Sequence, residues 1–325
     1  MIEVKDVTKW YGPTKAVDRL SFTVQPGIVT GFLGPNGAGK TTTMRMILGL
    51  DHPSSGSVTV HGRDYASLPA PLFEVGALLD AKAIQGGRSA RQHLTWVAKA
   101  GGISEDRVEQ VLEAVGLADV ARRKVGGFSL GMSQRLGIAT ALLGDPPVML
   151  FDEPVNGLDP EGIRWVRRLF RDLAQEGRTI LVSSHLMSEM EETAEHVIVI
   201  GRGRLIADAS IREFTQRNGA SHVRVVSPQS EELAPLLRSA GGAVAADDGA
   251  LVVTGMEAPQ VGQIAAEHRI VLHELAPRRV SLEAAFMALT EDSTQFQAAA
   301  LDSEAIAETA RALAAASPGD DSKGS

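Results

Sequence analysis

Nine consecutive residues, Gly34-Pro35-Asn36-Gly37-Ala38-Gly39-Lys40-Thr41-Thr42, constrain the fold of this chain more than any other stretch. A strand-like apolar run, Ile28-Val29-Thr30-Gly31-Phe32-Leu33, leads into them, and a helical run, Thr43-Met44-Arg45-Met46-Ile47-Leu48, leads away. In that setting the glycines let the backbone curl until successive N–H groups point inward at phosphate oxygens. The helix that follows adds the positive end of its dipole. Lys40 then reaches the β- and γ-phosphates of a nucleoside triphosphate, and the Thr41 hydroxyl can ligate Mg²⁺. A chance glycine-rich turn has no reason to carry a strand before it, a helix after it and a Lys-Thr pair at its end. An α/β core is therefore expected around this loop.

Composition narrows the classes of partner. A length of 325 residues allows one large domain and a smaller one. The formal net charge of −8 gives no bulk electrostatic grip on a polyanion, so nucleic acid is not expected as a partner. With no cysteine, disulfides and cysteine-ligated metal centres are excluded. The 8 histidines are scattered without metal-ligand spacing. Met1 to Lys9 alternates charged and apolar residues, unlike a signal peptide, and no apolar run approaches the length of a bilayer span. Membrane contact is expected only through a partner.

Along the chain, Ile2 to Val7 alternates with period two and predicts a half-buried strand; Phe22-Thr23-Val24 and Ser57-Val58-Thr59-Val60 predict two more. Ser104 is placed to cap a helix whose Val108, Val111, Leu112 and Val115 form one stripe, with Gly116 where it would stop. A further helix is expected over roughly Ser133 to Leu143. Val148-Met149-Leu150-Phe151 and Thr179-Ile180-Leu181-Val182 read as buried parallel strands. From about Ser221 the order changes to strand (Val223 to Val226), helix (Glu231 to Ser239), a hairpin around Asp247-Asp248-Gly249, helix (Pro259 to Glu267) and strand (Ile270 to Leu272). That βαββαβ order predicts a small ferredoxin-like α+β domain. Ser281 to Thr290 reads as a closing helix, and the Ala-rich remainder, ending Ser317-Pro318-Gly319-Asp320-Asp321, as largely disordered. There is no internal repeat.

The strand ending at Phe151 delivers Asp152 and Glu153 at its carboxyl end. A phosphate-binding loop needs such a carboxylate on a neighbouring strand: Asp152 can hold Mg²⁺ through a water, and Glu153 can polarise the water that attacks the γ-phosphate.

Directly after the two acids stands Pro154-Val155-Asn156-Gly157-Leu158-Asp159; Ser183-Ser184-His185 closes the next strand, and Phe128-Ser129-Leu130-Gly131-Met132-Ser133-Gln134-Arg135 lies upstream. Together these resemble the D-loop, switch histidine and signature motif of ATP-binding-cassette ATPases. Order and spacing match from the first strand to about Leu205. The resemblance implies a P-loop NTPase core with an antiparallel β subdomain and an α-helical signature subdomain over residues 1–218. A small α+β domain over 219–292 and a tail over 293–325 would follow.

The resemblance also implies roles. Tyr11, in Lys9-Trp10-Tyr11-Gly12, matches the aromatic that stacks on adenine, with Val17 behind it. Gly34 through Thr42 cradle the phosphates; Thr41 and Asp152 hold the metal; Lys40, Glu153 and His185 serve catalysis. Ser129 and Gly131 match the residues that close over the γ-phosphate bound to a second copy. ATP and Mg²⁺ are the implied cofactors, a homodimer on ATP binding the implied assembly, and a separate transmembrane permease the implied partner. The implied place is the cytoplasmic face of the membrane. The ending Ser281-Leu282-Glu283-Ala284-Ala285-Phe286 looks like that of bacterial drug- and lipid-exporter ATPase subunits. The alternative is a soluble cassette ATPase acting on ribosomes or nucleic acid; those relatives generally carry two cassettes or a long coiled coil, and this chain has neither.

Two positions depart from the family pattern. Leu130 replaces the first of the two glycines that follow the signature serine, which would strain the backbone if φ had to be positive there. Asp80 stands where a Q-loop glutamine is expected and is a further metal-site candidate, with Gln85 as a displaced substitute.

Overall fold

The computed structural model describes residues 1–218, 222–247, 249–278, 282–283 and 286. Residues 1–217 form one compact unit. It opens with the hairpin β1 (Ile2–Tyr11) and β2 (Thr14–Val24), followed by β3 (Val29–Leu33), helix α1 (Lys40–Ile47) and β4 (Ser55–Val60). Next come α2 (Pro71–Glu74), β5 (Val75–Leu78) and three helices, α3 (Ala90–Gly101), α4 (Asp106–Ala114) and α5 (Leu130–Leu142). The remainder is β6 (Val148–Asp152), α6 (Pro160–Gln175), β7 (Thr179–Ser184), α7 (Met187–Glu191), β8 (His196–Gly201), β9 (Arg204–Ser210) and α8 (Ile211–Asn218).

β1 pairs antiparallel with both β2 and β4, giving a three-stranded sheet in the order β2-β1-β4. The short strand expected at Phe22 to Val24 is only the end of β2. Its first half, rich in polar residues, shows no apolar pattern, but the ladder with β1 from Ile2↔Val24 to Tyr11↔Thr14 satisfies its backbone.

The second sheet has six strands in the order β5-β6-β7-β3-β8-β9, parallel except for the antiparallel edge strand β9. β3, β6 and β7 are buried along their whole length. That is why they read as unbroken apolar runs: both faces of the sheet are covered, and on one of them Phe32, Leu150, Leu181 and Ile198 share a core with Ile2, Val4, Phe22 and Val58 of the three-stranded sheet. β7 lies between β3 and β6, so the phosphate-binding loop and the acid pair leave the sheet two strands apart, about 10 Å.

α3 begins with a reciprocal cap: the Gln92 N–H donates to Ser89 Oγ at 3.2 Å, and the Ser89 N–H donates to Gln92 Oε1 at 2.9 Å. α4 buries the expected valine–leucine stripe, and Gly116 beyond it has φ 69. α5 starts at Leu130, three residues earlier than expected, because the Ser129 hydroxyl caps it by accepting from the Met132 N–H at 3.2 Å.

The unit beginning at Asn218 contains β10 (His222–Val226), α9 (Ser230–Ser239), β11 (Ala243–Asp247), β12 (Ala250–Thr254), α10 (Ala258–Glu267) and β13 (Glu274–Arg278). Its antiparallel sheet has the order β11-β12-β10-β13, the ferredoxin-like arrangement. Val223, Val225, Leu233, Leu237, Val253 and Val261 form its core.

One strand is displaced from its expected position. Ile270 to Leu272 is not the last strand; β13 is, four residues later. The backbone at Val271 bonds to side chains instead of a ladder: its carbonyl accepts from Ser227 Oγ at 2.7 Å and its N–H donates to Gln229 Oε1 at 3.2 Å. The expected closing helix and tail lie outside the described residues except for Leu282, Glu283 and Phe286. No helix among the described residues is long and apolar enough to cross a membrane.

Candidate nucleotide site

The loop between β3 and α1 forms a phosphate cradle for steric reasons that can be read residue by residue. A Cβ on Gly34 would lie 2.4 Å from the Ile200 carbonyl oxygen, and one on Gly39 would lie 2.7 Å from that of Ala16. Gly39 also stands at φ 102, as the residue that caps α1. Glycine is therefore required at both ends of the curl. Lys40 is buried (7% exposed), and its ammonium donates to the carbonyls of Gly34 at 2.6 Å and Pro35 at 3.3 Å. Two of its three donors are thus spent on the loop and one remains. Burial lowers the pKa of this ammonium, while the nearby Glu153 and Asp152 carboxylates oppose the shift.

Across the cavity, the Thr41 hydroxyl donates to Asp152 Oδ2 at 2.6 Å, which joins the loop to the end of β6. Ser183, from the intervening strand β7, donates to the other Asp152 oxygen and accepts the Glu153 N–H at 3.1 Å. Glu153 itself has φ 49, a left-handed conformation uncommon outside glycine. It is held by that bond and by Gln134, whose Nε2 donates to the Glu153 carbonyl at 3.2 Å. His185 Nδ1 lies 2.8 Å from Glu153 Oε2. The result is a relay of polar contacts running Lys40 loop, Thr41, Asp152, Ser183, Glu153, His185.

Ala16, the loop from Pro35 to Thr42, Leu79, Asp152 and Glu153 line a cavity of about 310 Å³. The hydroxyl of Thr41 beside the carboxylate of Asp152 is the hard-oxygen donor set that Mg²⁺ takes, and the inward-curled loop fits a triphosphate.

Other expected residues stand elsewhere. Tyr11 lies at the end of β1, 45% exposed; its hydroxyl donates to Asp51 Oδ2 at 2.7 Å and lies near Thr42, and Lys9 Nζ lies 5.0 Å from its ring centroid. Val17 is fully buried beneath the loop, and its neighbour Ala16 is the residue that lines the cavity. The ladder explains the difference: Lys9 pairs with Val17 and Trp10 with Lys15, so Ala16 is the unpaired residue of a bulge beside the buried Val17. Asp80 is not brought to the cavity. It is exposed, and its carboxylate accepts the Lys82 N–H at 2.8 Å, folding back on its own loop. Gln85 is exposed as well, and Leu79 alone of this loop reaches the lining.

Ser129 and Gly131 also lie outside the cavity lining of their own chain. Leu130 opens α5 and is not among the residues with positive φ, so the feared strain does not arise. Its side chain covers Gly157 of the loop after β6, where a Cβ would meet it at 2.4 Å. Residue-type reasoning missed Ser183, Gln134 and Ala16. The serine left a trace as a hydroxyl residue closing an otherwise apolar strand, and Gln134 as a member of the signature-like stretch; Ala16 left none.

A strand-loop-helix cradle joined to an acid pair across one intervening strand defines a P-loop nucleoside triphosphatase. A family model described as "ABC transporter" matches residues 17–156, and one for a domain of unknown function matches residues 221–283. The chain is 43% identical over 221 residues to the bacitracin transport ATP-binding protein BcrA of Bacillus licheniformis, covering 67% of this chain and 72% of that one. It is 36% identical over 299 residues to the uncharacterized ABC transporter ATP-binding protein YhcH of Bacillus subtilis, covering 91% and 97%. Among solved structures, one titled as the ATP-binding subunit of an ABC transporter superposes with a TM-score of 0.62 at 27% identity, over 67% of this chain and 92% of that one. The chain belongs to the ATP-binding subunits of ABC transporters and is an ABC ATPase.

Proposed function

We propose that two copies of this chain close head to tail on two molecules of Mg-ATP and drive export of a small molecule or lipid through a separate membrane permease. The observation that carries this reading is the incomplete cavity: it holds the phosphate loop, Asp152 and Glu153 but neither Ser129 nor Gly131 of the same chain. Ser129 and Gly131 of the second copy would supply the missing wall. Thr41 and Asp152 are the residues that would hold Mg²⁺, which offsets phosphate charge when bound. Lys40 binds the β- and γ-phosphates with its remaining donor. Glu153 accepts a proton from the attacking water, and His185, held against the Glu153 carboxylate, orients that water and the γ-phosphate. Tyr11 stacks on adenine beyond Thr42.

The relative named for bacitracin transport supports the export reading, and the place of action is the cytoplasmic face of a membrane, reached through the permease. Residues 219–292 serve as a separate domain that supports dimerisation or partner docking, and none of its described residues lines the nucleotide cavity. Glu153→Gln removes the proton acceptor and keeps the shape. It is expected to bind ATP normally, hydrolyse it slowly and accumulate as a dimer in size-exclusion chromatography with light scattering. A monomeric Glu153→Gln protein in saturating ATP and Mg²⁺ would sink the shared-site reading.

A further inference from the structure

Helix α6 carries Arg164, Arg167, Arg168 and Arg171 at i, i+3, i+4 and i+7, one stripe about 10.5 Å long. With Asp172 and Glu192 they line a groove of about 400 Å³. Four guanidinium groups thus share the groove lining with two carboxylates, with Glu189 also within Coulombic reach of Arg167, in a chain whose formal net charge is −8. Glu192, the residue just past α7, occupies two of the four. Its carboxylate accepts from Arg167 Nη1 and its backbone carbonyl from Arg171 Nη2. Arg164 and Arg168 are exposed and pair with no carboxylate among the described residues. The Nε of Arg167 is buried and meets no acceptor among them. None of these arginines contributes to the nucleotide cavity or to its relay.

We propose that this groove is a binding site for a phosphate group, free or carried on a lipid headgroup. Guanidinium forks match phosphate oxygens two at a time, and a free phosphate or a lipid phosphomonoester carries more charge than the single Glu192 carboxylate it would displace from Arg167. The short stripe suits one compact, multiply charged anion better than an extended acidic segment. Because Arg167 and Arg171 hold Glu192 at the end of α7, which begins two residues after His185, occupancy of the groove also bears on the switch residue.

The test titrates pyrophosphate into the full chain saturated with ADP, so that the phosphate loop is already filled, and follows it by calorimetry. Wild type should show one saturable event beyond ADP. Arg164→Gln/Arg168→Gln should weaken it at least tenfold, and Arg164→Lys/Arg168→Lys, which keeps charge but loses the forks, by a smaller factor. Co-sedimentation with phosphatidic acid/phosphatidylcholine vesicles, whose acidic headgroup is a phosphomonoester, against pure phosphatidylcholine, separates the sources. Arginine-dependent vesicle binding that pyrophosphate competes away assigns a headgroup; pyrophosphate binding without vesicle binding assigns a free phosphate. No saturable event, or one untouched by the glutamine pair, overturns the proposal. Hexaglutamate binding as tightly as pyrophosphate, with the same arginine dependence, overturns the phosphate assignment in favour of an acidic peptide.

Discussion

Two glycines of the same loop separate backbone strain from steric exclusion. Gly37 stands at φ 79 with nothing within 4 Å of where a Cβ would lie. Gly39 stands at φ 102, and its Cβ would lie 2.7 Å from the carbonyl oxygen of Ala16. That oxygen is backbone, set between Lys15 and Val17, which both pair with β1, and cannot swing aside as a flexible side chain could. Gly37→Ala should therefore carry only the left-handed penalty, about 1–2 kcal/mol. Gly39→Ala adds overpacking against fixed backbone to a strained φ, for about 2–6 kcal/mol in all.

If the loop holds its shape, the cost appears as lost folding stability. If the loop relaxes, it appears as lost ATP affinity, at about 1.4 kcal/mol per tenfold. For Gly37→Ala the ceiling on the affinity loss is thus about thirtyfold, and Gly39→Ala should exceed it when stability and affinity losses are added. Urea unfolding of the nucleotide-free proteins and calorimetric ATP titration measure the two parts. Equal summed losses for the two variants would refute the steric reasoning, because then φ alone would decide the cost.

Tyr11→Ala should weaken ATP binding about tenfold to a hundredfold, the scale of a lost aromatic stack. Tyr11→Phe should bind as wild type, since the hydroxyl is engaged with Asp51; an unchanged dissociation constant for the alanine variant would move the stacking role to Trp10. Asp80→Gln should leave the Mg²⁺ dependence of ATP affinity unchanged, because Asp80 bonds to the Lys82 N–H outside the cavity; any gain in metal-free affinity would return Asp80 to the site. His93 has its pKa lowered by burial, with Arg88 adding to the effect, so the unfolded chain binds its proton more readily than the folded one. Stability should fall as pH drops below about 6.5, the ordinary imidazole range, and level off below the lowered folded value. Urea midpoints between pH 7.5 and 5 should show that slope flattened in His93→Gln.

The nucleotide loop, the acid pair and the buried strands were legible in the sequence because each rests on local rules. A phosphate cradle is one strand, nine residues and one helix, and a strand buried on both faces must be apolar throughout. The βαββαβ order was legible for the same reason. What the sequence could not decide was where backbone hydrogen bonds would close across distance. The polar half of β2 is a strand only because β1 pairs with it, and Ile270 to Leu272 is not one because Ser227 and Gln229 take its backbone first. At the site, a bulge in β2 leaves Ala16 on the cavity lining next to the buried Val17, which residue type alone does not announce. Asp80 turns away because its own loop offers a nearer N–H. Ser183 becomes part of the site because strand order places β7 between the loop and the acids. Strand order and side-chain facing arise from pairing among segments far apart in the chain. Local composition carries no record of that pairing; only the packed tertiary structure decides it.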